Sequence, residues 1–167
     1  DLYYLSMYIM VYANTENGLK GNGTIENPYQ ITNESELYLI NEQLDKCYIL
    51  LNDIEIDDNC LFPISYKEAN AFTGNFDGNG HIIKGIKEKN FKNDFDVNNG
   101  TRYRGIFGYN KGIIKNLGVI SEDIKIQSGT YCIGGIAGCN EGTIESAYYC
   151  GSNRRSEERF SRNAETD

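Results

Sequence analysis

Two stretches of the chain, "GIFGYNKGIIKNLGV" at 105–119 and "GIAGCNEGTIESAYY" at 135–149, are related by a shift of 30 residues. Six positions are identical: Gly105/Gly135, Ile106/Ile136, Gly108/Gly138, Asn110/Asn140, Gly112/Gly142 and Ile114/Ile144. A fixed period of this size marks stacked repeats, in which one unit cannot bury its apolar stripe alone and does so against its neighbours. A third segment, "GNFDGNGHIIKGI" at 74–86, follows the pattern when shifted by 31. Gly74 then falls on Gly105, Phe76 on Phe107, Asn79 on Asn110, Ile83 on Ile114, Lys84 on Lys115, and Ile86 on Leu117.

Each unit reads as a short strand, a turn of Gly and Asn, and a second short strand with Ile facing inward. Glycine supplies close backbone approach at the corners, and asparagine tolerates the left-handed region there. Units stacked about 4.8 Å apart pair strand on strand. Asn79, Asn110 and Asn140 are then expected one above another, bonded as a ladder of amides. The fold class is all-β, and composition agrees: 18 glycines, two prolines and no tryptophan fit many short strands and turns. A net charge of −8 argues against nucleic acid as a partner, because such binding needs a basic face.

One helix interrupts this pattern. In "NESELYLINEQL", Asn33 and Glu36 stand at capping-box spacing, and Leu37, Ile40 and Leu44 form one apolar face. A helix is expected at about 34–43, after a short strand around Tyr29–Ile31. Downstream, Asp53-Ile54-Glu55-Ile56-Asp57 alternates, which puts Ile54 and Ile56 inward and three carboxylates outward. Paired carboxylates serve glycosidases or hold calcium, but a solvated strand face is the simpler account. Residues 87–104 read as a polar insertion forming an excursion loop, with Phe91, Phe95 and Tyr103 as its aromatics.

The histidine count of one bears on chemistry. Asn75-x-Asp77-x-Asn79-Gly80 resembles the front of an EF-hand loop, yet the twelfth position is Ile86 where a bidentate acid is needed. As a base, His81 would need an orienting carboxylate and a nucleophile in reach. In the repeat alignment its counterparts are Gly112 and Gly142, so a corner histidine is the better reading. Five cysteines, at 47, 60, 132, 139 and 150, form no C-x-x-C pair and cannot complete a usual zinc set with one histidine. Pairing of Cys132 with Cys139 stays open, and small buried hydrophobes describes most of them. No catalytic residue, cofactor site or metal site is assigned.

The two ends differ from the body. Residues 1–13, apolar through Val11 and closing on Val-Tyr-Ala, read as a signal peptide lacking its basic start and cleaved after Ala13; a first β-strand is the competing account. The run is too short for the ~20 residues of a membrane-spanning helix. Residues 152–167 hold four of the six arginines and no lysine, and read as a disordered or foreign tail, with a short amphipathic helix as the alternative. The domain is therefore placed at 14–151.

The pattern Gly-Ile-x-Gly-x-Asn-x-Gly-x-Ile at 105–114 and 135–144 resembles the GLUG motif of bacterial surface proteins. These include adhesins and the non-catalytic regions of secreted metalloendopeptidases that cleave immunoglobulin A. The upstream "NPYQITNESELYLIN" and "FTGNFDGNGHIIKGI" resemble the entry segment before such repeats, so the likeness covers roughly residues 21–150. It implies a right-handed parallel β-helix (β-solenoid) of few coils with a short N-terminal capping helix, in a secreted or cell-surface protein. The implied role is adhesion or a structural stalk, with a host-surface protein or a glycan as partner and no membrane span in the mature chain. Self-association through an open solenoid edge is a further expectation. H-E-x-x-H is absent, so peptidase activity does not carry over, and the chain is read as non-enzymatic. The alternatives are a substrate-recognition region of a secreted metallopeptidase, or a carbohydrate-binding or carbohydrate-lyase β-helix. The latter would use Arg102 and Arg104, the arginines of the body.

Overall fold

The computed structural model describes residues 18–57, 62–66, 68–91, 102–122, 124–126, 131–151 and 153–155. The segment read as a signal peptide, along with Cys60, Phe95 and residues 156–167, lies outside them.

Strand β1 (Tyr29–Ile31) leads into helix α1 (Glu34–Leu39), which tightens to a 3-10 turn over Ile40–Glu42. Asn33 caps α1 by accepting the Glu36 amide at 3.1 Å. Glu36 reaches back one residue further than in a standard capping box, accepting the Thr32 N–H at 2.6 Å and its hydroxyl at 2.9 Å. The apolar face is as the spacing predicts: Leu37 and Ile40 are fully buried and Leu44 packs partly against the core.

After the cap the chain is strand and turn: β2 (Cys47–Leu50), β3 (Ile54–Glu55), β4 (Asn75–Asp77) and β5 (Ile82–Ile86). The next unit contributes β6 (Arg102–Arg104), β7 (Phe107–Asn110), β8 (Ile113–Lys115), β9 (Gly118–Ser121) and β10 (Ile124–Ile126). The last repeats that set as β11 (Tyr131–Ile133), β12 (Ala137–Asn140), β13 (Thr143–Glu145), β14 (Tyr148–Cys150) and β15 (Asn153–Arg155). All pairings among these strands are parallel. They form a five-stranded sheet β1-β2-β4-β8-β13, a four-stranded sheet β3-β5-β9-β14, and the pairs β6-β11, β7-β12 and β10-β15. Between the last two units the register is 30 residues where β7, β8 and β9 meet β12, β13 and β14, as Phe107↔Ala137, Ile114↔Ile144 and Val119↔Tyr149 show, and 29 residues in the flanking pairs β6-β11 and β10-β15.

The core is an aromatic run that crosses the units. Tyr48 lies 5.6 Å from Tyr29 and 6.4 Å from Phe72, and Phe107 lies 4.9 Å from Phe72 and 5.3 Å from Phe76, ring centre to ring centre. Isoleucines and valine fill the rest: Ile31, Ile83, Ile114 and Val119 are fully enclosed. The alternating strand behaves as expected, with Ile54 and Ile56 buried and Asp53, Glu55 and Asp57 exposed. The cysteines do not follow expectation. Cys47, Cys132 and Cys139 are half-buried free thiols and Cys150 is exposed, because they sit on outer strand faces or in the last unit.

Regular structure enters both ends of the expected 87–104 insertion. Glu88–Asn90 form a 3-10 turn, and Arg102–Arg104 are strand β6. Arg104 is nearly buried, 2.8 Å from Glu88, with its guanidinium over the Phe91 ring at 5.7 Å. That pair ties the two stems together. The expected tail also begins inside the fold, since Asn153–Arg155 pair with Ile124–Ile126.

Because Phe107 is fully buried and touches two other rings, Phe107→Ala is expected to cost ~3–5 kcal/mol. Chemical denaturation of the two proteins measures this, and a loss below about 1 kcal/mol would contradict the packing described.

Candidate functional site

The repeat residues occupy two different ladders. Asn110 and Asn140 are register partners at the ends of β7 and β12, and the Asn110 amide donates to Asn140 Oδ1 at 2.6 Å. Each also bonds its own turn: Gly112 N–H donates to Asn110 Oδ1 at 3.1 Å, and the two amides donate to Gly112 O and Gly142 O at 3.3 Å. Asn110 is buried and fully used in this way.

Asn79 is not the third rung, which corrects the expected superposition. The position beside Asn110 in the preceding unit is held by Phe72, and β4 meets β8 as Phe76↔Ile114, not with Phe76 over Phe107. Asn79 instead forms a corner with φ of 53°, matched by Asn116 at 53° and by Ser146 at 49° in the units that follow. Asn79 is held by Asp77: its N–H donates to Asp77 Oδ1 at 2.8 Å, and its amide donates to Leu50 O at 3.2 Å. Asn116 donates to the same Asp77 oxygen at 3.0 Å. The observed shift is 38 at Phe76↔Ile114 against the expected 31, and it falls to 36 at Ile83↔Val119 because the corners differ in length. Phe76 and Ile83 pair with Ile114 and Val119, so the "DGNG" corner carries two more residues than "KNL".

Glycine marks the shared position more faithfully than asparagine does. A Cβ on Gly74 would lie 2.0 Å from Lys46 O, on Gly112 2.2 Å from Gly74 O, and on Gly142 2.1 Å from Gly112 O. Each of these glycines therefore touches the backbone of the unit before it, while Ile113 and Thr143 donate to Gly74 O and Gly112 O at 2.9 Å. Gly74 thus stands over Gly112, not over Gly105. Gly105 and Gly135 open the bends before β7 and β12, and Gly108 and Gly138 lie within those strands.

His81 has a partner that the sequence did not reveal. Its Nδ1 lies 3.1 Å from Asp53 Oδ1, which also accepts the Ile82 N–H at 3.0 Å. This joins the outer carboxylate row to the long corner, 28 residues on. All three carboxylates of that row, Asp53 included, line an open groove with Glu34, Lys87 and Glu122, where Glu55 pairs with Lys84 at 3.4 Å and Lys87 with Glu122 at 3.8 Å. Among the described residues, no three His, Cys, Asp or Glu side chains converge to hold a metal ion.

Several carboxyls are held ionised. The Ile82 N–H and then His81 lower the Asp53 pKa. Burial works against ionisation of Asp77, yet the hydrogen bonds from Asn116 and Asn79, with Lys115, outweigh it. A hydrogen bond from Tyr109 lowers Glu141, while that bond and burial raise Tyr109.

No family model matches the chain, and no solved structure gives a significant match. The chain is similar to "Putative Gly-rich membrane protein" of Evansella cellulosilytica, at 31% identity over 136 residues, 75% of this chain and 15% of that protein. It is also similar to "Halomucin" of Haloquadratum walsbyi, at 28% identity over 145 residues, 80% of this chain and 2% of that protein. The chain therefore spans a small part of the curated relatives that it matches. No helix among the described residues is long and apolar enough to cross a membrane.

Two outcomes are expected. Gly112→Ala drives a Cβ into the Gly74 carbonyl and should cost about 3 kcal/mol, the upper range for overpacking, because backbone cannot swing aside. Gly80→Ala, with φ of 79° but open space around it, should cost only ~1–2 kcal/mol. Equal losses in denaturation would refute the ladder. The second concerns pH. A carboxyl whose folded pKa is depressed stabilises the fold above its unfolded pKa and loses that contribution as pH falls. The melting temperature should therefore hold from neutral pH to about 5 and drop below about 4. Asp77→Asn should flatten part of that drop, and a midpoint that rises on acidification would contradict it.

Proposed function

We propose that this chain is a non-catalytic β-solenoid module of a secreted or cell-surface protein, of the GLUG-repeat kind, serving as a stalk or adhesive element. The observation that carries the reading is the parallel 30-residue register that β7, β8 and β9 keep with β12, β13 and β14. It lets the same corner, glycine and amide positions recur along one direction. Parallel strand connections of this sort are right-handed for steric reasons, so the winding is assigned that hand. Helix α1 acts as the cap that such stacks need at an end.

Surface display is supported by the relatives' names, one a membrane protein and the other built on the word mucin. A stack of rigid rungs suits a spacer: each unit adds length along one axis and presents outer side chains at a fixed pitch. The test is protease shaving of intact cells that carry the native gene, read by mass spectrometry. Peptides from 105–151 are expected among those released before lysis. Their appearance only after lysis would overturn the assignment to the cell exterior.

A further inference from the structure

The pattern Asn-x-Ser/Thr occurs three times, as Asn22-Gly23-Thr24, Asn33-Glu34-Ser35 and Asn99-Gly100-Thr101, and the last lies outside the described residues. In an exported chain this pattern accepts sugar on the asparagine amide. Spacing alone does not separate the two described copies, and both asparagines are exposed. Their hydrogen bonds do separate them.

At Asn22 the side chain folds into its own turn. Its Oδ1 accepts the Thr24 N–H at 3.2 Å and the Thr24 hydroxyl at 2.8 Å, while Nδ2 has no partner among the described residues. The backbone around it is fixed. The N–H groups of Asn22 and Gly23 both donate to Asn27 O, at 3.0 and 3.1 Å, and the Asn27 N–H donates to the Thr24 hydroxyl at 3.2 Å. Gly23 has φ of 74°, a Cβ there would lie 2.5 Å from the Tyr29 ring, and its carbonyl accepts the Cys47 N–H at 2.9 Å. The middle position is therefore reserved for glycine and tied to the start of β2. Asn33 is committed elsewhere. Its Oδ1 caps α1 through the Glu36 N–H, its Nδ2 donates to the Thr32 hydroxyl at 3.3 Å, and Ser35 is taken up in the helix.

We infer that Asn22 is an acceptor for an N-linked sugar and that Asn33 is not. An amide nitrogen is a poor nucleophile because its lone pair is shared with the carbonyl. As Nδ2 gives up a proton, charge builds on Oδ1, and the two Thr24 donors are already placed to stabilise it. Nδ2 attacks the anomeric carbon of a glycosyl pyrophosphate carried on a lipid. The bond from that carbon to the phosphate oxygen breaks, its electron pair leaves with the pyrophosphate, and the Nδ2 proton passes to a base of the transferase. At Asn33 the same attack would strip α1 of its cap. The inference rests on the exterior placement proposed above.

The test takes the chain purified from cells that carry the native gene, digests it with trypsin and a glutamate-specific protease, and reads the peptides by mass spectrometry. Cleavage after Lys20, Glu26 and Glu34 separates Asn22, in 21–26, from Asn33, in 27–34. Sugar is expected on 21–26 and not on 27–34. It should be lost in N22Q and in T24A, and kept in T24S, which retains the hydroxyl donor. A bare 21–26, equal occupancy of 27–34, or sugar that survives in T24A overturns the assignment. Protease shaving of the same cells keeps the two readings apart. Release of 105–151 before lysis together with a bare 21–26 sinks the acceptor alone, whereas a bare chain found only after lysis sinks the exterior placement with it.

Discussion

Backbone contact between one unit and the next is the constraint on which everything else in this protein rests. Gly74, Gly112 and Gly142 each press against a carbonyl of the unit before, at distances that leave no room for a Cβ. That approach brings β4, β8 and β13 to pairing distance, and pairing in turn makes Phe76, Ile114 and Ile144 successive rungs of one apolar column. Side chains then refine what the backbone has imposed. Asn110 is buried yet satisfied, because its own turn and the next amide consume its donors and acceptors.

How much of this was legible in the residues differs by unit. The last two were transparent from Phe107 to Val119, since the corners there have equal length and one shift of 30 aligns the strands; the bends on either side differ by one residue. The first was not. Its pattern of Gly, Phe, Asn and Ile invites a shift of 31, but Phe76 and Phe107 do not superimpose; they meet edge to face across the core. A pattern match rewarded two aromatics for being alike, whereas packing uses them as neighbours. Gly74-x-Phe76 over Gly112-x-Ile114 was the better guide, because the glycine position is set by backbone clash and admits no substitute. The left-handed corner of Asn79, Asn116 and Ser146 was hidden for a related reason: serine at φ 49° is not a residue that announces such a bend.

The outer-face chemistry shows a second limit. Asp53 read as one of three solvated acids, and exposure bears that out. Its link to His81 required knowing that the long corner folds back beside β3, which follows from pairing and not from spacing. Arg104 is the sharper case. In sequence it belonged to a polar insertion, yet β6 carries it inward against Glu88 and Phe91, where a guanidinium bridges the two stems. Polarity alone could not separate a loop arginine from one that closes the base of a loop.

The residues before β2 differ from those of the later units for a physical reason. At the first end, Asn33 and Glu36 start a helix whose Leu37 and Ile40 seal the apolar column, and no repeat residue could do both. From there the column runs through Phe76 and Ile114 to Ile144, with Ile144 and Tyr149 half-buried against the core. Exposed charges pair across the units, Lys115 with Asp77 and Lys111 with Glu68 and Glu141, while Lys87 meets Glu122 with the signs reversed. Exposed pairs of this kind contribute little stability each, so cohesion between units comes from backbone pairing and the enclosed apolar column.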